Sequence, residues 1–173
     1  MRTLRATLLA FVLPSVALAA PPILVVDLSD SYTHSTALAG LLADVDRELK
    51  ALAQMHRPAI DRLRRELREA KQREPDNREL QLAIARSISD LEATAERDEE
   101  RLAKANETAI GEVQRAIAAA KATLQSETGA RAILDIHETY YVRQDCPCLA
   151  TERLYELLNQ QLPKVELRMA PAE

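Results

Sequence analysis

Aromatic residues, glycine and cysteine are all scarce in this chain of 173 residues, and tryptophan is absent. Aromatic side chains make up 3% of the sequence, which is too little to build a thick globular core. The chain has three glycines, none of them followed by lysine, so it has no glycine-rich loop to hold phosphates. Alanine, leucine, glutamate and arginine dominate instead, a composition typical of long helices and coiled coils. We therefore expect a partner chain to help bury the apolar surface.

Excess positive charge is also missing. The formal net charge is −4, and loss of Arg2 and Arg5 with an N-terminal leader makes the remainder more negative still. A uniformly basic nucleic-acid-binding protein is excluded, because such proteins need positive charge to meet phosphate groups. We expect no nucleic-acid partner.

The N-terminus has the features of a secretory signal peptide. Two arginines precede a proline-interrupted apolar run over residues 6–18, and small residues follow at Ala17 and Ala19. This pattern predicts a signal peptide over residues 1–19 and a mature chain that starts at Ala20. The alternative, a retained membrane anchor, needs about 20 apolar residues, and the run here is shorter.

The middle of the chain, residues 35–127, predicts a hairpin of two long helices. Apolar residues recur there at steps of three and four, which places them along one seam of each helix. The first seam comprises Leu38, Leu42, Val45, Leu49, Leu52, His56, Ile60, Leu63, Leu67 and Ala70. The second comprises Leu80, Ile84, Ile88, Leu91, Ala95, Leu102, Ala105, Ala109, Val113, Ala116, Ala120 and Leu124.

Local signals predict where these helices bend, reverse and end. Pro58 removes a backbone hydrogen bond inside the first helix and predicts a bend there rather than an end. Residues 74–77 predict the turn at the tip of the hairpin, with Asp76 and Glu79 as a capping box for the second helix. Gly129 predicts the C-terminal cap of that helix.

The segments on either side of the hairpin predict a small β-containing base, residues 20–34 and 128–173. A β-branched run at 23–28 favours a buried strand, and residues 130–142 favour a strand pair or one bent strand. Thr151 is then the expected N-cap of a closing helix. The fold class is α+β and mainly α, with a single domain over residues 20–173.

Basic residues concentrate near the tip of the hairpin, whereas the shaft over residues 90–112 is acidic. The residues of the basic tip are Arg62, Arg64, Arg65, Arg68, Lys71, Arg73 and Arg78. They have two readings: a solvated helix face with ion pairs between neighbouring turns, or a surface that contacts anionic membrane headgroups.

Three segments of the chain, in their order along the sequence, resemble the OmpH/Skp family of periplasmic chaperones. The segment ILVVDLSDSY resembles the family's first strand, with Asp27 after the apolar run and Tyr32 as the following aromatic. The segment GARAILDIHETYYV resembles the family's return to the base, with Asp135 and Tyr141 at matching steps. The segment TERLYELLN resembles the short closing helix. Together the three segments and the hairpin cover nearly the whole mature chain.

The resemblance implies a periplasmic homotrimer of jellyfish shape, whose helical arms hold unfolded outer-membrane β-barrel proteins without ATP. It places five residues in the shared base, namely Val25, Asp27, Ile133, Asp135 and Tyr141, and a charge at Val25 is then expected to yield monomers. The acidic net charge departs from the family, so electrostatic capture of clients is expected only at the tip. The alternative function is an envelope adaptor that docks one folded partner.

Both cysteines, Cys146 and Cys148, flank one proline in the loop before the closing helix. In an oxidising compartment they favour a local disulfide, while an inter-subunit disulfide, a redox pair or a copper or zinc site remain alternatives. With His137 they supply only three metal ligands. A small envelope protein for redox or metal handling is accordingly a third hypothesis for function.

The remaining titratable groups suggest no catalysis. His34 and His56 have no partner at metal-ligand spacing, and His56 is interpreted as a tolerated polar residue on the seam. The acidic run 98–100 is interpreted as a solvated helix face, because a general acid or base needs a shaped, partly dry pocket. We expect no enzyme activity, cofactor or metal.

Overall fold

The computed structural model describes residues 23–29, 31–139, 141–143 and 145–171. The predicted signal peptide and the predicted mature N-terminus lie outside these residues. The elements in chain order are β1 (Ile23–Val26), α1 (Ser31–His34), α2 (Thr36–Arg73), α3 (Arg78–Thr128), β2 (Ala132–Asp135), a 3₁₀ helix (Ile136–Glu138) and α4 (Thr151–Gln161). The chain is mainly helical, with a small sheet and a short helix near its C-terminus.

The first long helix, α2, starts behind a serine cap and continues through its proline. Ser35 has an extended backbone, and its Oγ accepts a hydrogen bond from the Leu38 N–H at 3.3 Å, as serine does at an N-cap. Pro58 lies inside the helix, which continues to Arg73. The proline therefore does not end the helix, as the sequence predicts.

The turn between α2 and α3 lies at residues 74–77, but its cap differs from the predicted one. The N-cap is Asn77, whose Oδ1 accepts from the Leu80 N–H at 3.1 Å. Asn77 Nδ2 also donates to Glu74 Oε2 at 2.7 Å, so one amide side chain holds both ends of the turn. The predicted capping box of Asp76 and Glu79 is wrong, because the helix begins one residue later.

Helices α2 and α3 run antiparallel, as two contacts between them show: the contact residue with the higher number on α2 has the partner with the lower number on α3. His56 Nε2 lies 3.0 Å from Asp98 Oδ2, and Arg64 Nη2 donates to Glu92 Oε1 at 2.7 Å. At about 1.5 Å per residue the 51 residues of α3 span about 76 Å. The two helices thus form a long, thin hairpin.

The seam on α3 agrees well with the sequence pattern, whereas the seam on α2 is shifted near its start. Leu102, Ala109 and Leu124 are among the buried seam positions of α3. On α2, however, Leu42 is 58% exposed and Leu49 is 47% exposed. Seven residues of an α-helix fall about 20° short of two full turns, so a straight helix drifts from a strict heptad seam. The buried side of the first turns of α2 includes Leu41 in place of Leu42.

The base is built on two parallel strands. β1 pairs with β2 in the register Ile23↔Ala132 to Val26↔Asp135. Parallel neighbours need a crossover connection, and here the whole helical hairpin is that crossover. On its other side β1 pairs at one isolated bridge with Leu149, so β1 lies in the middle of the base.

Of the strand pair or single bent strand predicted within residues 130–142, the described residues contain one short strand, β2. β2 ends at Asp135, whose Oδ1 accepts from the His137 N–H at 3.0 Å, while Glu138 Oε2 accepts from the Asp135 N–H at 3.2 Å. These two bonds form a capping box, which starts a 3₁₀ helix and stops the strand. Tyr141 and Val142 lie outside any strand, and Tyr140 lies outside the described residues.

A first buried cluster joins the sheet to α3 and α4. Its members are Leu24, Val26, Ala120, Leu124, Ala130, Leu154, Tyr155, Leu157 and Leu158. The Tyr155 hydroxyl donates to the Asp27 carbonyl at 3.1 Å. Thr151 does not cap α4, since its Oγ1 instead accepts from the Asp27 N–H at 2.9 Å. The closing helix is therefore tied to the end of β1.

The C-terminal tail, residues 162–171, leaves the base and lies along the hairpin. Val165 is 2% exposed and belongs to a second buried cluster with Ala37, Leu38, Leu41, Ala109 and Val113. Further along, Arg101 Nε donates to the Ala170 carbonyl at 3.1 Å. The sequence pattern assigns this tail to the base, whereas the structure places it on the arm.

We expect Gly129→Ala to lower the free energy of unfolding by about 1 kcal/mol, because Gly129 has a φ of 68° in the left-handed region. Urea denaturation measures the change. Gly40 is the matched control: it lies inside α2 with nothing within 4 Å of an added Cβ. Gly40→Ala should raise stability by about 0.5–1 kcal/mol, and a similar gain for Gly129→Ala would contradict the left-handed assignment.

Candidate functional site: the hairpin and its base

One face of the sheet in the base is open. Ile23, Val25 and Leu134 line a groove of about 620 Å³ together with Tyr141 and the loop residues 142, 143 and 145–148. Ile23 is 46% exposed and Tyr141 is 82% exposed. The opposite face of the sheet is covered by the first cluster, against which Ile133 packs. The base thus has one buried face and one uncovered apolar face.

The predicted base residues divide between these two faces. Val25 lines the open groove but is only 5% exposed, because β1 has a neighbour on each side at this residue. On one side Val25 is in register with Leu134 of β2. On the other side its N–H donates to the Cys148 carbonyl at 2.8 Å and its carbonyl accepts from the Ala150 N–H at 2.9 Å. Ile133 lies on the covered side. Tyr141 is outside the core of the chain, so its predicted role in an assembly stays a prediction.

The two predicted aspartates stand at neighbouring strand ends and make local caps. The hydroxyl and the backbone N–H of Ser29 both donate to Asp27 and lower the pKa of that carboxyl below its ordinary value. Asp135 starts the 3₁₀ helix by accepting from the His137 N–H. Both carboxylates therefore have structural partners within the chain.

Cys146 and Cys148 form a disulfide with each other. The bridge closes the loop that supplies the Cys148 carbonyl to Val25, so it holds the segment that pairs with β1. This is the local bridge among the predicted alternatives, and in this state neither sulfur is a thiolate that could bind a metal. Within the described residues no group of three or more His, Cys, Asp or Glu side chains could hold a metal ion.

The basic tip is exposed throughout. Arg62 pairs with Glu66 at 3.6 Å, and Arg64 pairs with Glu92 at 2.7 Å. In the part of the chain that the structure describes, the other five cations make no ion pair. Those five are Arg65, Arg68, Lys71, Arg73 and Arg78. Most of the tip charge is therefore free to meet an external anion.

Apolar side chains are exposed beside this charge and along the shaft. Leu82, 57% exposed, lines a shallow groove with Leu67 between Lys71 and Arg78. Closer to the base the exposed positions include Met55 at 66% and Leu49 at 47%. The hairpin thus presents separate small apolar patches in a charged surface.

A half-buried polar network crosses the hairpin and was not predicted. His56, 9% exposed, meets Asp98 Oδ2 at 3.0 Å, and Arg101 donates to Asp98 Oδ1 at 2.7 Å. Through its bond to Ala170, Arg101 then ties the tail to both helices. Asp98 is therefore wrongly interpreted as part of a solvated face. A histidine on a buried seam needs a polar partner, which is the signal that sequence reasoning missed.

Comparisons with protein-family models, curated proteins and solved structures found no match. The resemblance to the OmpH/Skp family therefore stays a prediction that rests on the quoted segments. No helix in the described part of the chain is long and apolar enough to cross a membrane.

We expect Asp98→Ala to lower the free energy of unfolding by about 1–3 kcal/mol, because it leaves the imidazole of His56 without its acceptor. Glu99→Ala is the control, since this neighbouring carboxylate is exposed and its loss should change stability by less than about 0.5 kcal/mol. Urea denaturation measures both. Equal changes in the free energy of unfolding for the two variants would mean that Asp98 belongs to a solvated helix face.

We expect the triple variant Arg65→Gln, Arg68→Gln, Arg73→Gln to bind vesicles of anionic phospholipid at least about tenfold more weakly than the unsubstituted chain at low salt, because each cation near such a surface contributes about 1 kcal/mol. Vesicle sedimentation measures the binding. Lys104→Gln, Arg115→Gln, Arg131→Gln removes the same charge from exposed sites away from the tip. Equal loss in both variants would mean that the tip is only a solvated face.

Proposed function

We propose that this chain is an ATP-independent holdase of the periplasm that binds unfolded outer-membrane β-barrel proteins and prevents their aggregation. The observation that carries the proposal is the series of exposed apolar side chains along a thin helical hairpin. These are Leu42, Leu49, Met55, Leu80 and Leu82, between 39% and 66% exposed.

The form of the hairpin suits an unfolded client. Such a client has no fixed shape, so it is better held by many weak contacts than by one rigid pocket. Met55 adds an unbranched, adaptable side chain in the middle of the arm. Exposed charge between the patches keeps the arm itself in solution and leaves each patch too small for stable self-association.

The open face of the base supports a homotrimer as the working assembly. Ile23 and Tyr141 expose apolar surface beside β1, in a groove that the described residues of the chain leave uncovered. A contiguous apolar groove of this kind is a typical contact surface between subunits. Three chains joined there extend three hairpins around one client, and the basic tips face away from the base toward anionic membrane surfaces.

The first experiment dilutes a urea-unfolded outer-membrane β-barrel protein into the purified mature chain. We expect light scattering to fall as the chain is added, and the complex to have the mass of three chains and one client. Unaltered aggregation would refute the holdase. A stable complex with one folded envelope protein would then favour the adaptor function.

The assembly is tested by Ile23→Asp, which places a charge on the open face and should convert the assembly to monomers of unchanged helix content. Leu82→Asp is the control, because it puts the same charge at an exposed tip position and should leave the assembly intact. Analytical ultracentrifugation and circular dichroism provide the measurements. Val25→Asp does not test the interface, because Val25 is buried within the chain's own sheet.

A further inference from the structure

The tail on the hairpin has the burial pattern of a β-strand. Val165 is 2% exposed, and Leu167 and Met169 are half-buried, whereas the residues between them are exposed. The exposed positions are Lys164, Glu166 and Arg168. Alternation with period two is the geometry of an extended chain lying on a surface. The tail therefore binds the hairpin through one side of an extended segment.

The two fixed ends of the tail agree with an extended backbone. Twelve residues of helix separate Val113, in the cluster with Val165, from Arg101, which binds the Ala170 carbonyl, and they rise about 18 Å. The five residues from Val165 to Ala170 span about 17 Å when extended. An extended segment of this length therefore reaches from the buried cluster to Arg101.

The hairpin provides a groove that receives this segment. We call it the tail groove and define it by Leu38 and Leu41 on α2 and Ala109 and Val113 on α3, which share the buried cluster with Val165. The alanine leaves room for a backbone between the helices. Small and medium apolar side chains of this kind accept different apolar residues at little cost in packing.

Charges at the rim of the groove add little selectivity. Asp44, Arg47 and Glu48 line a crevice beside the tail residues Lys164 to Arg168. Within the described residues, however, Arg168 pairs with Glu166 of the tail itself at 2.9 Å, and no ion pair joins the tail to this rim. Recognition rests on the alternating apolar side chains and on backbone contacts such as that of Arg101.

We propose that the tail groove is a peptide-binding site for extended segments that alternate apolar and polar residues, and that the tail is its internal occupant. Strands of outer-membrane β-barrels have this alternation, so such a strand displaces the tail when a client binds. The client identity rests on the proposed function, whereas the preference of the groove for alternating peptides does not.

The first test uses a fluorescent peptide with the sequence of residues 162–171 and a permuted peptide in which the apolar residues are contiguous. The host is the full mature chain with Val165→Ser and Leu167→Ser, which loosens its own tail. We expect the alternating peptide to bind this variant at least about tenfold more tightly than it binds the unsubstituted chain, because a competing occupant lowers apparent affinity by the fraction of open sites. Fluorescence anisotropy measures the binding.

The control host carries Ala93→Ser and Ala118→Ser at exposed positions of α3, outside the tail groove and the exposed apolar patches, and it should bind the alternating peptide as weakly as the unsubstituted chain. Equal affinity of the loosened and control hosts, or equal affinity for both peptides, would overturn the groove assignment. Circular dichroism verifies that both hosts keep their helices.

A second test keeps the tail sequence intact. A photo-crosslinking amino acid replaces Arg47, an exposed residue beside Leu167, and another chain carries it at Leu82. We expect the probe at 47 to react with the tail in the free chain and with an unfolded β-barrel client once that client is added. If the chain suppresses aggregation but the probe at position 47 still reacts only with the tail, the client does not bind in the tail groove and the proposal is overturned. If aggregation is not suppressed but the alternating peptide binds as expected, only the proposed holdase function is refuted.

Discussion

The parallel pairing of β1 with β2 is the constraint on which the rest of the structure depends. Two parallel strands cannot be joined by a tight turn, because the chain that leaves β1 at one end of the sheet must return to the opposite end, where β2 begins. Here that crossover is the pair of long helices, which begins and ends beside the sheet and therefore must reverse far from it. The same pairing brings Asp27 and Asp135 to adjacent strand ends, where both serve as local caps.

A crossover of this length cannot be supported by the base alone. Beyond Leu52 and His56 the hairpin fully buries few large side chains, so the arms are held by half-buried seam residues such as Leu63 and Leu91 and by isolated polar contacts. The link from His56 through Asp98 to Arg101 lies where the seam changes from well buried to thinly buried. A hydrogen-bonded pair at such a place specifies which positions face each other, since a buried polar group tolerates few alternative partners.

The tail completes the arm rather than the base. Its apolar side chains cover the part of the hairpin that would otherwise expose Leu38 and Leu41. Among the described residues, neither the exposed patches nearer the tip nor the open groove of the base has such a cover. Three kinds of apolar surface thus follow one another along the molecule: one that suits subunit contact, one filled by an extended segment of the chain itself, and one left open in the arms.

Local patterns in the sequence were enough to predict the helical hairpin, its turn at residues 74–77, the glycine cap at 129 and a strand within residues 23–28, because periodicity and caps act between residues a few positions apart. The leucine face of α4 follows from the same periodicity. Only the tertiary structure decided the parallel register, the buried role of Leu41 in place of Leu42, the pairing of His56 with Asp98 and the path of the tail. Each of these depends on contacts between residues far apart in the chain, and the relative offset of two long helices leaves no mark in the pattern of either one.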